Sequence, residues 1–332
     1  MLPGLRGSML AGASAFALFA AIGDVTPNGR AASSDDGITW PTQTVPADLL
    51  LQAIAYGGGK YVAVGTDGSG GGAPKIYTSG DGYAWTSRTP APASLFVING
   101  ICYGNNLFVA VGDSGVGNSR ISTSPDGITW TSRTPDPVAD ASFKAVAYGN
   151  GIFVAVGVDT ATGNPVISQS TDNGVTWGAA STLAPTTDCT FRGVAYGNST
   201  FVAVGSTSGG TPQFSTSSSG SSWSAQTPAP STNFNATGIV YSGSLFVAVG
   251  YGTSNAPKIS TSSDGSTWTS RTPAPSTSFK IVAVAYGGGL YVAVGENGSN
   301  APIVSTSANG TSWTQRTPVA TTGVFRGVAS SG

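Results

Sequence analysis

Once per repeat, four positions ahead of a strand-ending tyrosine or its counterpart, stand Gln52, Asn99, Lys144, Arg192, Thr237, Val282 and Arg326. Amides, a hydroxyl and three cations at one place would hold an anion or the hydroxyls of a sugar, because Lys and Arg donate charge-assisted hydrogen bonds. Asp67, Asp113, Asp159 and Glu296 form a second set, in the segments after a Phe-Val-Ala-Val run. Carboxylates there suit a cation or sugar hydroxyls, although Asp is also an ordinary turn residue. Acid–base and nucleophilic chemistry find little support. The chain has no histidine, so the commonest general base and the Ser-His and Cys-His pairs are missing. Glu296 is its one glutamate. Zinc sites of the His/Cys type are excluded by the same count. Cys102 and Cys189 fall in non-adjacent repeats and read as small apolar fillers, not as a disulfide. No catalytic constellation emerges, and we expect neither enzyme activity nor a cofactor or metal.

The elements that position these residues are read from internal repetition. Seven tryptophans, Trp40, Trp85, Trp130, Trp177, Trp223, Trp268 and Trp313, are separated by 45, 45, 47, 46, 45 and 45 residues. Each follows a Gly by three positions, from Gly37 and Gly82 through Gly174 to Gly310, usually preceded by Asp or Asn. Asp-Gly and Asn-Gly between β-type runs predict a tight hairpin of type I′. Upstream lie an Ala-Tyr-Gly run and a nearly invariant Phe-Val-Ala-Val-Gly run, such as Tyr61–Gly65, both rich in β-formers. Each repeat therefore reads as strand A (Ala-Val-Ala-Tyr), B (Phe-Val-Ala-Val), C (Ile-Ser-Thr-Ser) and D (Trp-Thr-Ser-Arg-Thr). Four short antiparallel strands at this period predict an all-β, seven-bladed propeller occupying residues 1–332 as one domain. In that fold the D-to-A and B-to-C connections share a face, here the longer segments Thr66–Pro74, Asp113–Ser119 and Val158–Pro165. Variable loops on one face of a rigid repeat are where binding concentrates.

The last repeat is a lone strand A, Val324–Ala329. The N-terminal segment supplies what it lacks: Phe16–Gly23 aligns with strand B, Arg30–Ser34 with C and Trp40–Thr44 with D. Blade 7 is then shared between 1–44 and 322–332, which removes the exposed sheet edges of an open ring. Residues 1–24 also fit a secretory leader, with Arg6 ahead of an apolar stretch from Met9 to Ile22. The unbroken alignment as far as Trp40 favours the strand.

The hairpin motif resembles the Asp-box, Ser-x-Asp-x-Gly-x-Thr-Trp, of sialidase-like propellers. Ser170–Trp177 matches with Asp172, Gly174 and Trp177, and Ser33–Trp40 with Asp35, Gly37 and Trp40. In the other five repeats Gly80, Pro125, Ser218, Ser263 or Ala308 stands at the Asp position. The resemblance implies a structural motif at the blade periphery. It does not carry the sialidase chemistry, which resembles three convergent arginines, a Tyr–Glu pair and an acid Asp. Four of the nine arginines, Arg88, Arg133, Arg271 and Arg316, instead recur three residues after a Trp on the outermost strand.

Charged residues make up only 9% of the chain and the net charge is −1. Such a surface exerts little pull on nucleic acid or anionic lipid, and no apolar stretch reaches the length of a membrane span. The repeat style resembles propeller modules of phage tail or fibre proteins and bacterial surface proteins. It implies a non-enzymatic virion or extracellular protein recognising a host-surface glycan or a partner protein. Two alternatives stand beside it: a particle-decorating scaffold that docks to neighbouring chains, and a secreted glycan-active enzyme with a remodelled site.

Overall fold

The computed structural model describes residues 18–25, 28–44, 49–68, 72–90, 96–114, 118–133, 140–179, 183–274, 279–317 and 323–332. They form seven four-stranded antiparallel sheets, one per blade. Blade 1 consists of Leu49–Gly57, Lys60–Asp67, Pro74–Ser79 and Thr86–Arg88, strands A to D from the axis outward. Blades 2 to 6 repeat this order over 97–133, 141–179, 190–226, 235–271 and 279–316. Blade 7 takes strand A from Val324–Ser330 and strands B to D from Phe19–Val25, Asn28–Ser34 and Thr42–Thr44. Phe19 pairs with both Ser330 and Ser34, so the two ends of the chain close the ring. Residues 16 and 17 of the segment aligned with strand B lie outside the described residues, as do parts of loops 66–74 and 113–119. No helix among the described residues is long and apolar enough to cross a membrane.

The Phe-Val-Ala-Val run is explained by burial on both faces. Strand side chains alternate, and in blade 1 Tyr61 and Ala63 enter one apolar cluster with Ile22 and Ala20 of blade 7. Val62 and Val64 enter the next, with Phe108 and Ala110 of blade 2. The same division holds around the ring, which gives seven clusters, each between two adjacent sheets. Phe19-Ala20-Ala21-Ile22 obeys it too, with Phe19 and Ala21 facing blade 6 and Ala20 and Ile22 facing blade 1.

The expected turn types change places. Type I′ geometry, with φ > 0 at both central residues, occurs between strands A and B, as at Gly58-Gly59, Asn105-Asn106 and Asn150-Gly151. At the C–D hairpins only the Gly is left-handed in most blades, and a side chain closes the turn instead. Asp36 Oδ1 accepts the backbone N–H of Ile38 and Thr39 at 2.8 Å each and the Ser34 hydroxyl at 3.0 Å. Asp81, Asp126 and Asp264 repeat this pattern, as does Asn309. Asp172 also does so, from a loop one residue longer that puts Asn173 at φ 59°. The motif register at the first hairpin is thereby corrected. Asp36 closes that turn, and Asp35 instead accepts the Tyr83 hydroxyl of blade 1. The five repeats that lack Asp at the aligned position have lost little: four hold Asp or Asn one residue later, and the fifth holds Ser219.

Strand D is shorter than expected, because the Trp precedes the ladder. Its ring turns back between the sheets, and its indole N–H donates to the hairpin Gly carbonyl, at 2.9 Å for Trp40 to Gly37 and 2.8 Å for Trp223 to Gly220. Trp130, Trp177, Trp268 and Trp313 do the same. Trp85 differs. Its Nε1 is buried with no partner, and the Gly82 carbonyl accepts the Ser33 hydroxyl of blade 7 instead.

Two outcomes follow from this packing. A chain beginning at Asp24 loses Phe19 and Ile22 from two clusters and should be destabilised by at least about 5 kcal/mol in a thermal scan. The turn carboxylates set the acid limit. Hydrogen bonds from the Thr176 hydroxyl and backbone, set against a desolvation cost, hold Asp172 down to about 2. The Thr267 and Ser266 N–H groups do the same for Asp264, also to about 2. A carboxylate depressed on folding contributes stability above its unfolded value, about 3.9, and loses it as pH falls toward the folded one. Melting temperature should therefore fall between about pH 4 and pH 2, and Asp172→Asn/Asp264→Asn should flatten that slope.

Candidate functional site

The seven residues of the opening pattern line one cavity on the ring axis, with a volume of about 220 Å³. Their convergence has a local cause. Strand A slips register against strand B at one place in each blade, between Leu51 and Ala53, Ile98 and Gly100, and Phe143 and Ala145 in the first three. The skipped residues are Gln52, Asn99 and Lys144, and by the same slip Arg192, Thr237, Val282 and Arg326. Each is the extra residue of a β-bulge, a device that re-aims a side chain. The glycine ending the Phe-Val-Ala-Val-Gly run makes the bulge fit. A Cβ on Gly65 would lie 2.0 Å from the Leu50 carbonyl oxygen, and on Gly157 2.1 Å from that of Ser142. Gly23, Gly112, Gly205, Gly250 and Gly295 meet equivalent carbonyls at 1.8–2.0 Å. The residue after each bulge is Ala or Gly throughout, from Ala53 and Gly100 to Gly327, because adjacent A strands nearly touch there. A Cβ on Gly193 would stand 3.1 Å from Gly238 Cα.

The residue after the strand-B glycine forms a collar beside this ring. Asp113 accepts from the Asn99 amide at 3.2 Å and from the Ser142 hydroxyl, and faces Lys144 Nζ at 3.9 Å. Asn99 also donates to the Phe143 carbonyl of the next blade at 2.9 Å. Ser206 accepts from Arg192 at 2.9 Å and donates to Asn235 at 3.1 Å. Asp24 pairs with Arg326 at 2.8 Å, and Glu296 with Lys280 at 3.1 Å. Lys280 also lies 5.8 Å from the Tyr251 ring centre. Thr237 donates to the Ile281 carbonyl at 2.9 Å, which leaves its methyl and Val282 as a less polar arc. Among the described residues Gln52 makes no side-chain hydrogen bond.

The three channel cations are thus not equivalent. Arg326 and Lys144 each face a carboxylate, whereas Arg192 has none within 4.0 Å among the described residues. Burial lowers the Arg192 and Lys144 pKa values; for Lys144, Asp113 opposes the shift and the Arg192 charge adds to it. The cavity therefore carries one uncompensated positive charge beside unspent amide and guanidinium donors.

The second sequence-derived set does not assemble. Asp113 and Glu296 belong to the collar, and Asp159 closes its own loop by accepting from Ala161 and Thr162 N–H at 2.9 Å. Asp67 keeps one buried Oδ1 without a partner. No three His, Cys, Asp or Glu residues among those described are placed to hold a metal. Burial raises both cysteine thiols, Cys189 to about 12. Sequence reasoning missed Asp24 and Ser206, whose signal was their place directly after the recurrent strand-B glycine, and Ser142 and Asn235, which lie across from that place on strand A and carried no such signal.

No protein-family model matches the chain, and comparison with curated proteins found no match. Solved structures do share its ring. The structure titled YCF48 bound to D1 peptide is 13% identical with a TM-score of 0.56, over 99% of this chain and 98% of that one. The BP39L lectin from Burkholderia pseudomallei is 13% identical with a TM-score of 0.65, over 92% and 99%. The likeness is one of fold. At this identity neither neighbour carries over a site residue.

The bulge glycine gives a direct test. Gly157→Ala should cost about 1–3 kcal/mol or more by urea melts, because its methyl strikes backbone. Gly178→Ala, with nothing within 4 Å, should leave stability unchanged.

Proposed function

We propose that this chain is a non-enzymatic binding protein whose ligand sits at the central cavity. The observation that carries the reading is the convergence of seven bulge residues on one cavity holding a single unpaired cation, Arg192. A merely structural channel has no need of charge there, since burying a cation without a paired charge is costly. The absence of histidine and the engagement of Asp24, Asp113 and Glu296 with cations support a binder over a hydrolase, which needs two carboxylates about 5–10 Å apart across its substrate. Two neighbours in fold, one solved with a peptide and one a lectin, fit a binding role. Within that role we favour a virion or extracellular module, such as a phage tail-fibre domain, that recognises a host-surface glycan. Ser, Thr, Asn and Gly in place of charge suit such a surface, and weak sites gain strength through copy number.

Glycan-array binding of the full-length chain, with Lys144→Ala/Arg192→Ala alongside, tests the reading. Loss of binding in a variant that melts normally supports the channel site. Undiminished binding in that variant overturns it. Binding to no glycan removes the glycan assignment and leaves a partner protein as the ligand.

A further inference from the structure

Blade 1 departs from its own repeat at several positions, and three of them meet in one notch on the outer rim. Lys60 occupies the position before the strand-B aromatic, where Leu18, Leu107, Ile152, Thr200, Leu245 and Leu290 stand elsewhere. Gly80 is the only glycine at its hairpin position, and Ala84 the only residue lacking a hydroxyl immediately before a repeat Trp. Lys60, Gly80 and Ala84 all line a cavity of about 170 Å³ between blades 1 and 2. Thr86 and Arg88 of strand D line it as well, and Ile128 of blade 2 walls it with 41% of its surface exposed. Two small residues hollow the notch, and one substitution adds a charge.

The notch is cationic and unsatisfied. Lys60 Nζ spends one of its donors on the Asp126 carbonyl at 2.9 Å. Arg88 spends only Nε, on Thr78 at 2.8 Å. Neither cation meets a carboxylate within 4.0 Å among the described residues. Asp126, the nearby acid, accepts its own turn's N–H groups first, and the Lys60 charge adds to the lowering of its pKa, so it offsets only part of the notch's charge. One wall is strand D, the outermost strand of its sheet, whose outer backbone edge has no partner strand among the described residues. An open edge is a template for an added strand. Apolar side chains also sit at the hairpin tips of four consecutive blades, Ile38, Tyr83, Ile128 and Val175, where the other three carry Ser221, Ser266 and Thr311.

We propose that this notch docks an extended acidic peptide segment of a partner chain. The peptide pairs with strand D of blade 1, places a carboxylate between Lys60 and Arg88, and lays an apolar side chain against Ile128. The site is on the rim and does not depend on the channel reading.

The seven indole N–H signals in a ¹⁵N-labelled full-length chain test this, since Trp130 packs between blades 1 and 2 and donates to the Gly127 carbonyl beside the lining residue Ile128. The probe is acetyl-Thr-Glu-Val-Glu-Val-Thr-amide, beside its Glu→Gln counterpart and free glutamate. The expected result is a saturable shift of the Trp130 signal, at least about tenfold weaker with the neutral peptide. The variant Lys60→Leu/Ala84→Thr restores residues the other blades already carry, so it should melt at or above wild type and lose the shift. No Trp130 shift at millimolar acidic peptide overturns the proposal, as does an equal response to the neutral peptide or in that variant. Free glutamate matching the peptide's affinity overturns the strand-pairing part.

Discussion

Strand B of every blade is buried on both faces, and the rest of the molecule depends on that. A half-buried sheet can end in water on one side, but a sheet with Val on one face and Phe or Tyr with Ala on the other requires a neighbour on each side. Seven such sheets satisfy one another only in a closed ring. Closure explains why Phe19–Val25, far from Val324–Ser330 in sequence, lies between that strand and Asn28–Ser34. It also explains why the apolar clusters lie between blades and not within them.

The bulge separates what the fold fixes from what can vary. The extra residue in strand A faces the axis, contributes little to the inter-sheet clusters, and is free to be Gln, Asn, Lys, Arg, Thr or Val. What the fold demands is the glycine opposite, whose missing Cβ leaves room for a carbonyl oxygen. Variation at the bulge is therefore cheap and variation at the glycine is not. The same logic governs the rim, where Lys60, Gly80 and Ala84 change one notch without touching the Tyr61-Val62-Ala63-Val64 core.

Charge accounting then distinguishes residues that look alike in sequence. Lys144, Arg192 and Arg326 occupy equivalent positions, yet Asp113 and Asp24 neutralise two of them across strand pairs or blade boundaries. The collar residues tie blade 2 to 3 through Asp113 and Ser142, blade 4 to 5 through Ser206 and Asn235, and blade 5 to 6 through Tyr251 and the Glu296-paired Lys280. A rigid mouth with one open cation is suited to holding a ligand in a fixed orientation, because its donors are ordered before the ligand arrives.

The sequence alone determined the architecture, because a repeat of about 45 residues with alternating apolar strands and turn residues at fixed offsets has few other solutions. It determined the closing blade as well, and it brought Gln52, Asn99, Lys144, Arg192 and Arg326 to one cavity, since equivalent positions in a ring must face a common axis. Only the tertiary structure decided which turns are type I′, that Asp36 and not Asp35 closes the first C–D hairpin, and that Trp85 lacks the bond its six counterparts make. It alone decided that, among the three channel cations, Arg192 is the one without a carboxylate. The Asp35–Tyr83 and Ser33–Gly82 bonds cross between blades, where the partner is a full repeat away along the chain and no local spacing records it, whereas the Asp36 turn bonds are local and the motif alone left their register open.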